Sequence, residues 1–428
     1  MRTGLPRAAG CPMVFPAKEK VSSSAFCYNG FLTALHPEGT TKCTTTKGAD
    51  MEHYTAIGID VSDRTSKICM MTKIGGERRI VEETTVKTSE AGFEEYFRDK
   101  DASAAVAFET GTHCRWMRDL IAGRLGFRVY VANPAKLPTI TRSNTKNDRN
   151  DARELARITL ADPEMLHPVE LRGERYQTMI RYAKARDAVI GVRTRITNML
   201  RGFAKAMGAR IGDCAPEAFA GLDRSEWPSD LRSVAIPLLR ILKEANAEIG
   251  RFEKMIRNLA RQPEFREKVE RVKEVYGVGD VIAPVFVAVI GGDASKFARA
   301  RDVGAALGFT PRQDQSGTID RQLHATKAGN KLMRRLLVEG ANVVMKENAM
   351  DTDLKLKGLR IRMRGGKIAR AKAKIAVARS LAVTMAALLK RPDMKYVPLT
   401  ERGREELAWI RGEEARREAA RSGKAMTA

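Results

Sequence analysis

Four carboxylates stand where they could do chemistry together. Asp60 closes the apolar run IGID, Glu109 closes AVAFE, and Asp148 and Asp151 lie three apart in KNDRNDARELA. The first two runs predict buried strands. The third predicts a helix from about Asn147, on which an i, i+3 spacing puts both aspartates on one face. Two strand-end acids facing a helix with two more would form a pocket of hard oxygen donors, the ligand set for Mg²⁺ or Mn²⁺. A pair of such ions about 4 Å apart can activate a nucleophile and stabilise the leaving oxygen of a phosphodiester. Ordinary structural roles are also open to each acid: Asp60 can start a turn, Glu109 can be a solvated strand end, and Asp148 can cap the helix. Lys146, Arg149 and Arg153, interleaved with the helical pair, suit a phosphate backbone brought up to the acids.

A second constellation lies in GFTPRQDQSGTIDRQLHATKAGNKLMRRLL, residues 308–337. Ser316 precedes a glycine in a polar segment, between Arg312 and Arg321. Lys327, Asn330, Lys331, Arg334 and Arg335 gather at the start of the helix that follows. A serine hydroxyl among guanidinium groups is one way to attack a phosphodiester, with the cations stabilising the charge that develops on the phosphate. A Ser-Gly pair beside arginines is equally an ordinary turn. Upstream, Gly277-Val278-Gly279 joins two helical patterns. It can aim backbone N–H groups at phosphate, as a helix-hairpin-helix does, or serve as a plain interhelical turn.

The elements that must position these residues fall into five stretches. Residues 1–50 mix Pro, Gly, Ser and Thr without periodicity, and read as a disordered leader or as sequence translated ahead of a true start at Met51. Residues 51–170 give three strands (YTAIGIDVSD, TSKICMMTKI, RRIVEETTVKT), a helix from Ser89 to Lys100 and the strand AAVAFET. A helix from His113 to Leu125 and the strand FRVYVANP complete a mixed sheet with helices on its faces. Residues 171–272 are largely helical. Leu231, Val234, Leu238, Leu242, Ala245, Ile249, Phe252, Ile256 and Leu259 make an a/d seam over about four heptads. Pro237 should kink or restart that helix. An earlier helix carries Val189, Val192, Ile196, Met199 and Phe203 at similar spacing, so the two can pair as a hairpin or a coiled coil can join two chains. Residues 273–395 run from the Gly-x-Gly turn through a loop-rich segment, Leu307 to Gln322, into a long helix from Lys331. Residues 396–428 form a charged tail, helical before it frays. The fold class expected is α/β plus all-α.

The composition narrows the partner. Across 428 residues, 76 lysines and arginines outnumber 52 acids, for a net charge of +24. Such a surplus points to a polyanion, DNA or RNA. Aromatics at 6% argue against binding built on base stacking. No run of 18 apolar residues suggests a membrane span, and the six cysteines contain no C-x-x-C pair that would mark a zinc or redox site.

The motifs IGIDVS, FETGT, VANP, K-N-D-R-N-D-A-x-x-L-A, YGVG, A-x-x-L-G-F-T-P-R-Q, QSG and K-x-G-N-x-x-x-R-R-L-L, in this order, resemble the DEDD transposases of the insertion sequence 110 family, relatives of the Piv DNA invertase. The resemblance covers about Tyr54 to Met394. It implies a RuvC-like, ribonuclease-H-type domain in which Asp60, Glu109, Asp148 and Asp151 bind divalent metal. It also implies a coiled-coil insertion and a C-terminal transposase domain with a helix-hairpin-helix-like turn and a nucleophilic serine at Ser316. Where the family shows two serines before the glycine, this chain has Gln315-Ser316. The activity implied is cutting and rejoining of DNA in the prokaryotic cytoplasm by a homo-oligomer, dimer or tetramer, with a structured RNA guiding several members. Two other readings are a Holliday-junction-type nuclease that uses water, and a non-catalytic nucleic-acid-binding protein.

Overall fold

A computed structural model describes residues 54–137, 148–316 and 319–425. The leader, Lys146 and the side chains of Asp148 and Ser316 lie outside what is described. Strands β1 (Tyr54–Asp60), β2 (Thr65–Ile74), β3 (Glu77–Lys87), β4 (Ala105–Glu109) and β5 (Arg128–Ala132) form one sheet in the order β3-β2-β1-β4-β5. The first three are antiparallel, while β1, β4 and β5 run parallel. Gly75 and Gly76, both at positive φ, close the tight β2–β3 turn that two L residues with side chains would resist.

Alternation along β1 and β4 sorts side chains onto two faces. Ile57, Ile59, Val106 and Phe108 meet Phe93 and Phe97 of α1 (Glu90–Phe97) and Met117 of α2 (Cys114–Arg118) on one face. The helix expected from His113 to Leu125 changes character at Asp119 and continues as π helix to Arg124. The opposite face carries the small residues Ala56, Gly58 and Ala107, and there α3 (Asp148–Ala161) lies against the strands through Ala152, Leu155 and Ala156. A Cβ on Gly58 would stand 2.1 Å from the Ala152 carbonyl oxygen and 2.5 Å from the Ala156 nitrogen. The fit therefore requires glycine.

Helices α4 (Glu174–Ala206) and α5 (Ser229–Ala260) pack on each other as a hairpin within the chain. Two expectations change. The helix runs unbroken through Pro237, and the seam shifts: Ala235 and Leu239 are buried where Val234 and Leu238 were expected, with Val234 exposed. On α4, Arg193, Ile196, Leu200 and Ala204 face inward, leaving Val192, Met199 and Phe203 exposed. The cause is Arg193, whose guanidinium crosses to Glu217 and Asn246 and fixes the inward row.

The largest core lies beyond. Helix α6 (Pro263–Lys273), the YGVG turn and the wholly buried α7 (Ile282–Val289) pack with α8 (Lys331–Val344), α9 (Asp353–Arg362) and α10 (Gly366–Lys390). Between them, β6 (Pro311–Ser316) and β7 (Ile319–Ala325) form a two-stranded hairpin where a loop-rich segment was expected. Helix α11 (Glu401–Ala425) follows. Arg172 ties the sheet region to this core: its Nε donates to the Val289 carbonyl at 2.9 Å, while Arg115 donates to the Arg172 carbonyl. Among the described residues, no helix is long and apolar enough to cross a membrane.

Gly58→Ala should cost on the order of 2–3 kcal/mol by forcing α3 off β1. Cys69, buried beneath α3 with its thiol pushed up to about 11 by burial, reports the event. It should resist alkylation at neutral pH in the native protein and react readily in the variant. Equal reactivity in both would contradict the packing.

Candidate functional site

In the parallel register Ile59 lies beside Phe108, so Asp60 and Glu109 end neighbouring strands at the same sheet edge. Asp60 follows Gly58 by two residues, and Glu109 follows Ala107 by two, which places both on the α3 face. Helix α3 runs antiparallel to β1, since Leu160 clusters with Tyr54 and Ala56 while Ala152 and Ala156 sit on Gly58. Its first turn, Asp148 to Asp151, therefore lies over the carboxyl edge where Asp60 and Glu109 end. Asp60, Glu109 and Asp151 are all half-buried. Three segments far apart in sequence thus converge on one edge and one face.

The donor chemistry at this edge, carboxylates without cysteine, suits a hard divalent cation. Among the described residues, no three His, Cys, Asp or Glu side chains are grouped closely enough to hold an ion by themselves, and Asp148 would be the fourth acid of the set. Helix α3 also directs its N-terminal N–H groups, and its positive end, toward the edge.

The cations expected here divide. Arg149 is exposed on the first turn of α3. Arg153 donates to both carboxylate oxygens of Glu83, and this hydrogen bond is the main reason the Glu83 carboxyl titrates below its usual range. Its guanidinium therefore ties α3 to β3.

One group at this edge was missed in the sequence. His113, four residues after Glu109, has its Nε2 3.2 Å from Oδ1 of Asp63, which lies three residues after Asp60. The Trp116 indole N–H donates to Nδ1 of His113 at 3.1 Å. An indole can only donate, so the ring carries its proton on Nε2, toward Asp63. The available signal was position: both residues lie in the loops immediately after the strand-end acids.

In the C-terminal region Ser316 is the last residue of β6. Arg312 and Arg321 are exposed on the same hairpin, and Lys327, two residues past the end of β7, is exposed with a φ of 53°. Three other expected contact residues are occupied by the fold. Asn330 caps α8, accepting from the Met333 N–H at 2.9 Å. Arg334 donates to the carbonyls of Leu307 (3.0 Å) and Ala328 (2.7 Å), and Arg335 pairs with Asp187. Gly277, at a φ of 92°, presses against α8, where a Cβ would stand 2.6 Å from Val344 Cγ2, whereas Gly279 is exposed.

Residues 57–207 match a family model described as a transposase, and residues 269–354 match that of the transposase IS116/IS110/IS902 family. The chain is similar to the transposase for insertion sequence element IS1111A of Coxiella burnetii, at 26% identity over 316 residues, 71% of this chain and 82% of that one. It is 29% identical over 244 residues to the transposase for element IS1328 of Yersinia enterocolitica, covering 56% of this chain and 70% of the relative. A probable family 20 transposase of Pseudomonas aeruginosa is 27% identical over 274 residues, 62% and 78% of the two chains. Both matched segments thus point to one class, the transposases. The chain belongs to the IS110 family of insertion-sequence transposases.

Asn330→Ala should lower stability by about 1 kcal/mol through loss of the α8 cap, measured by urea unfolding. Arg312→Gln should leave the unfolding midpoint unchanged and weaken DNA binding. A destabilised Arg312→Gln protein would show that Arg312, too, serves the fold.

Proposed function

We propose that this transposase cuts and rejoins DNA at a composite site, in which Asp60, Glu109, Asp148 and Asp151 hold Mg²⁺ or Mn²⁺ and Ser316 is the nucleophile. The convergence of Asp60, Glu109 and the first turn of α3 on one sheet edge is the observation that supports this most. When bound, the metal supplies positive charge that lowers the cost of negative charge developing on the phosphate. The Ser316 Oγ attacks phosphorus, one P–O bond to a deoxyribose oxygen breaks, the serine proton passes to solvent, and the departing oxygen takes up a proton. The resulting phosphoserine ester keeps its bond energy for joining to another strand. Arg312 and Arg321, on the same hairpin as Ser316, hold the phosphate during the attack.

Because the acids and the serine belong to separate sheets, the site forms when the β6–β7 hairpin meets the acidic edge across bound DNA, within one chain or between copies of a homo-oligomer. A structured guide RNA that base-pairs with donor and target DNA sets the sequence. A basic chain poor in aromatics, suited to reading backbone and shape, fits that division of labour.

Denaturing electrophoresis of the protein with its element ends tests the reading. The wild-type protein should leave a covalent protein–DNA adduct in Mg²⁺ that disappears with chelator and in Ser316→Ala. Asp60→Asn and Asp151→Asn should each lower cleavage on the order of a thousandfold. Cleavage without an adduct, undiminished in Ser316→Ala, would establish water as the nucleophile and make the protein a junction nuclease. Sequencing the nucleic acid that co-purifies should return one structured RNA from the element, and its absence would remove the guide.

A further inference from the structure

Between Lys355 and Arg391 the chain carries twelve basic residues and no acid. The structure divides them by use. Lys355 is buried and donates to the carbonyls of Glu347 (3.1 Å) and Ala349 (2.7 Å), and Lys357 donates to Ser380 Oγ at 2.7 Å. Arg360 pairs with Glu406, and Lys390 donates to the carbonyls of Phe297 and Ala298. These cations are occupied by the fold. Arg364, Lys367, Arg370, Lys372 and Lys374 are instead exposed, and none forms an ion pair with a described residue.

Three of the exposed five, Lys367, Arg370 and Lys374, fall at i, i+3 and i+7 of α10 and make a single stripe beside the buried row Ala369, Ala373 and Val377. The stripe rises about 10 Å, or about three base pairs of duplex at 3.4 Å each. Gly365 and Gly366, which turn the chain from α9 into α10, have no heavy atom within 4 Å of where a Cβ would stand, so the end of the ridge is open to a broad partner. The stretch holds no aromatic residue on which an unpaired base could stack. The second family match ends at residue 354, so this surface lies outside both matched segments.

We propose that the stripe Lys367, Arg370 and Lys374, flanked by Arg364 and Lys372, is a docking surface for the phosphate backbone of duplex DNA. Like charges held this close on one helix repel each other, and an array of phosphates relieves that repulsion while releasing counterions. Phosphate contacts carry no sequence information, so the surface holds DNA of any sequence. It needs neither the acids nor Ser316, so the two proposals can fail separately.

The test is binding of the full chain to a labelled duplex of arbitrary sequence, followed by anisotropy over a range of KCl concentrations. Replacing Lys367, Arg370 and Lys374 together by Gln should reduce the slope of log affinity against log salt by about 2 to 3, at about 0.9 per lost phosphate contact. Lys367→Gln alone should reduce it by about one, which keeps the test available if the triple variant folds poorly. Lys184, Arg195 and Lys243, exposed on the α4–α5 hairpin, provide a control of equal charge when replaced by Gln. An unchanged slope in the α10 variants, or an equal loss in the control, would overturn the surface. Tighter binding of a single strand than of duplex would overturn the partner.

Discussion

The acidic edge depends on the absence of one methyl group. Gly58 lets the backbone of α3 rest directly on β1, and that contact fixes the height and direction of the helix whose first turn overhangs Asp60 and Glu109. A side chain at position 58 would lift α3 by the width of a methyl and carry Asp151 away from the strand ends. Ala56 and Ala107 extend the same shallow trough, and the Arg153–Glu83 pair ties the helix laterally to β3. Small residues set the distance, and one ion pair sets the sideways position.

The sequence made the sheet legible because its two faces differ in kind. Ile57, Ile59, Val106 and Phe108 alternate with Ala56, Gly58 and Ala107, and because both faces are covered each strand reads as a short continuous apolar run. The acids at the strand ends were legible for the same reason, since each closes an apolar run. Apolar spacing failed on the helical hairpin, where the inward row includes a charged residue. Arg193 occupies a position that hydrophobicity assigns to solvent, and Val192, Met199 and Phe203 are exposed as a result. The polar run Arg312 to Gln315 hid β6, because its exposed residues show no buried face to alternate against.

Side-chain chemistry was legible as type and not as use. Arginines and lysines crowd the C-terminal half, and the sequence assigned Asn330, Arg334 and Arg335 to nucleic acid. Each also closes a carbonyl, a helix end or an acid nearby. Arginine suits this work because it carries five N–H donors, and one nitrogen of Arg334, Nη1, reaches two carbonyls at once. A positive balance of this size therefore overstates the charge left to face a polyanion.

Arg172 sits at the junction of the sheet region and the helical core, half-buried, with burial lowering its affinity for a proton. Its hydrogen bond to the Val289 carbonyl compensates for the water it has given up only while the two parts remain in place. A small separation would strand a guanidinium in a partly dry seam before water could reach it, and a larger one would rehydrate it fully. Opening the junction would therefore cost this hydrogen bond until water reached the guanidinium.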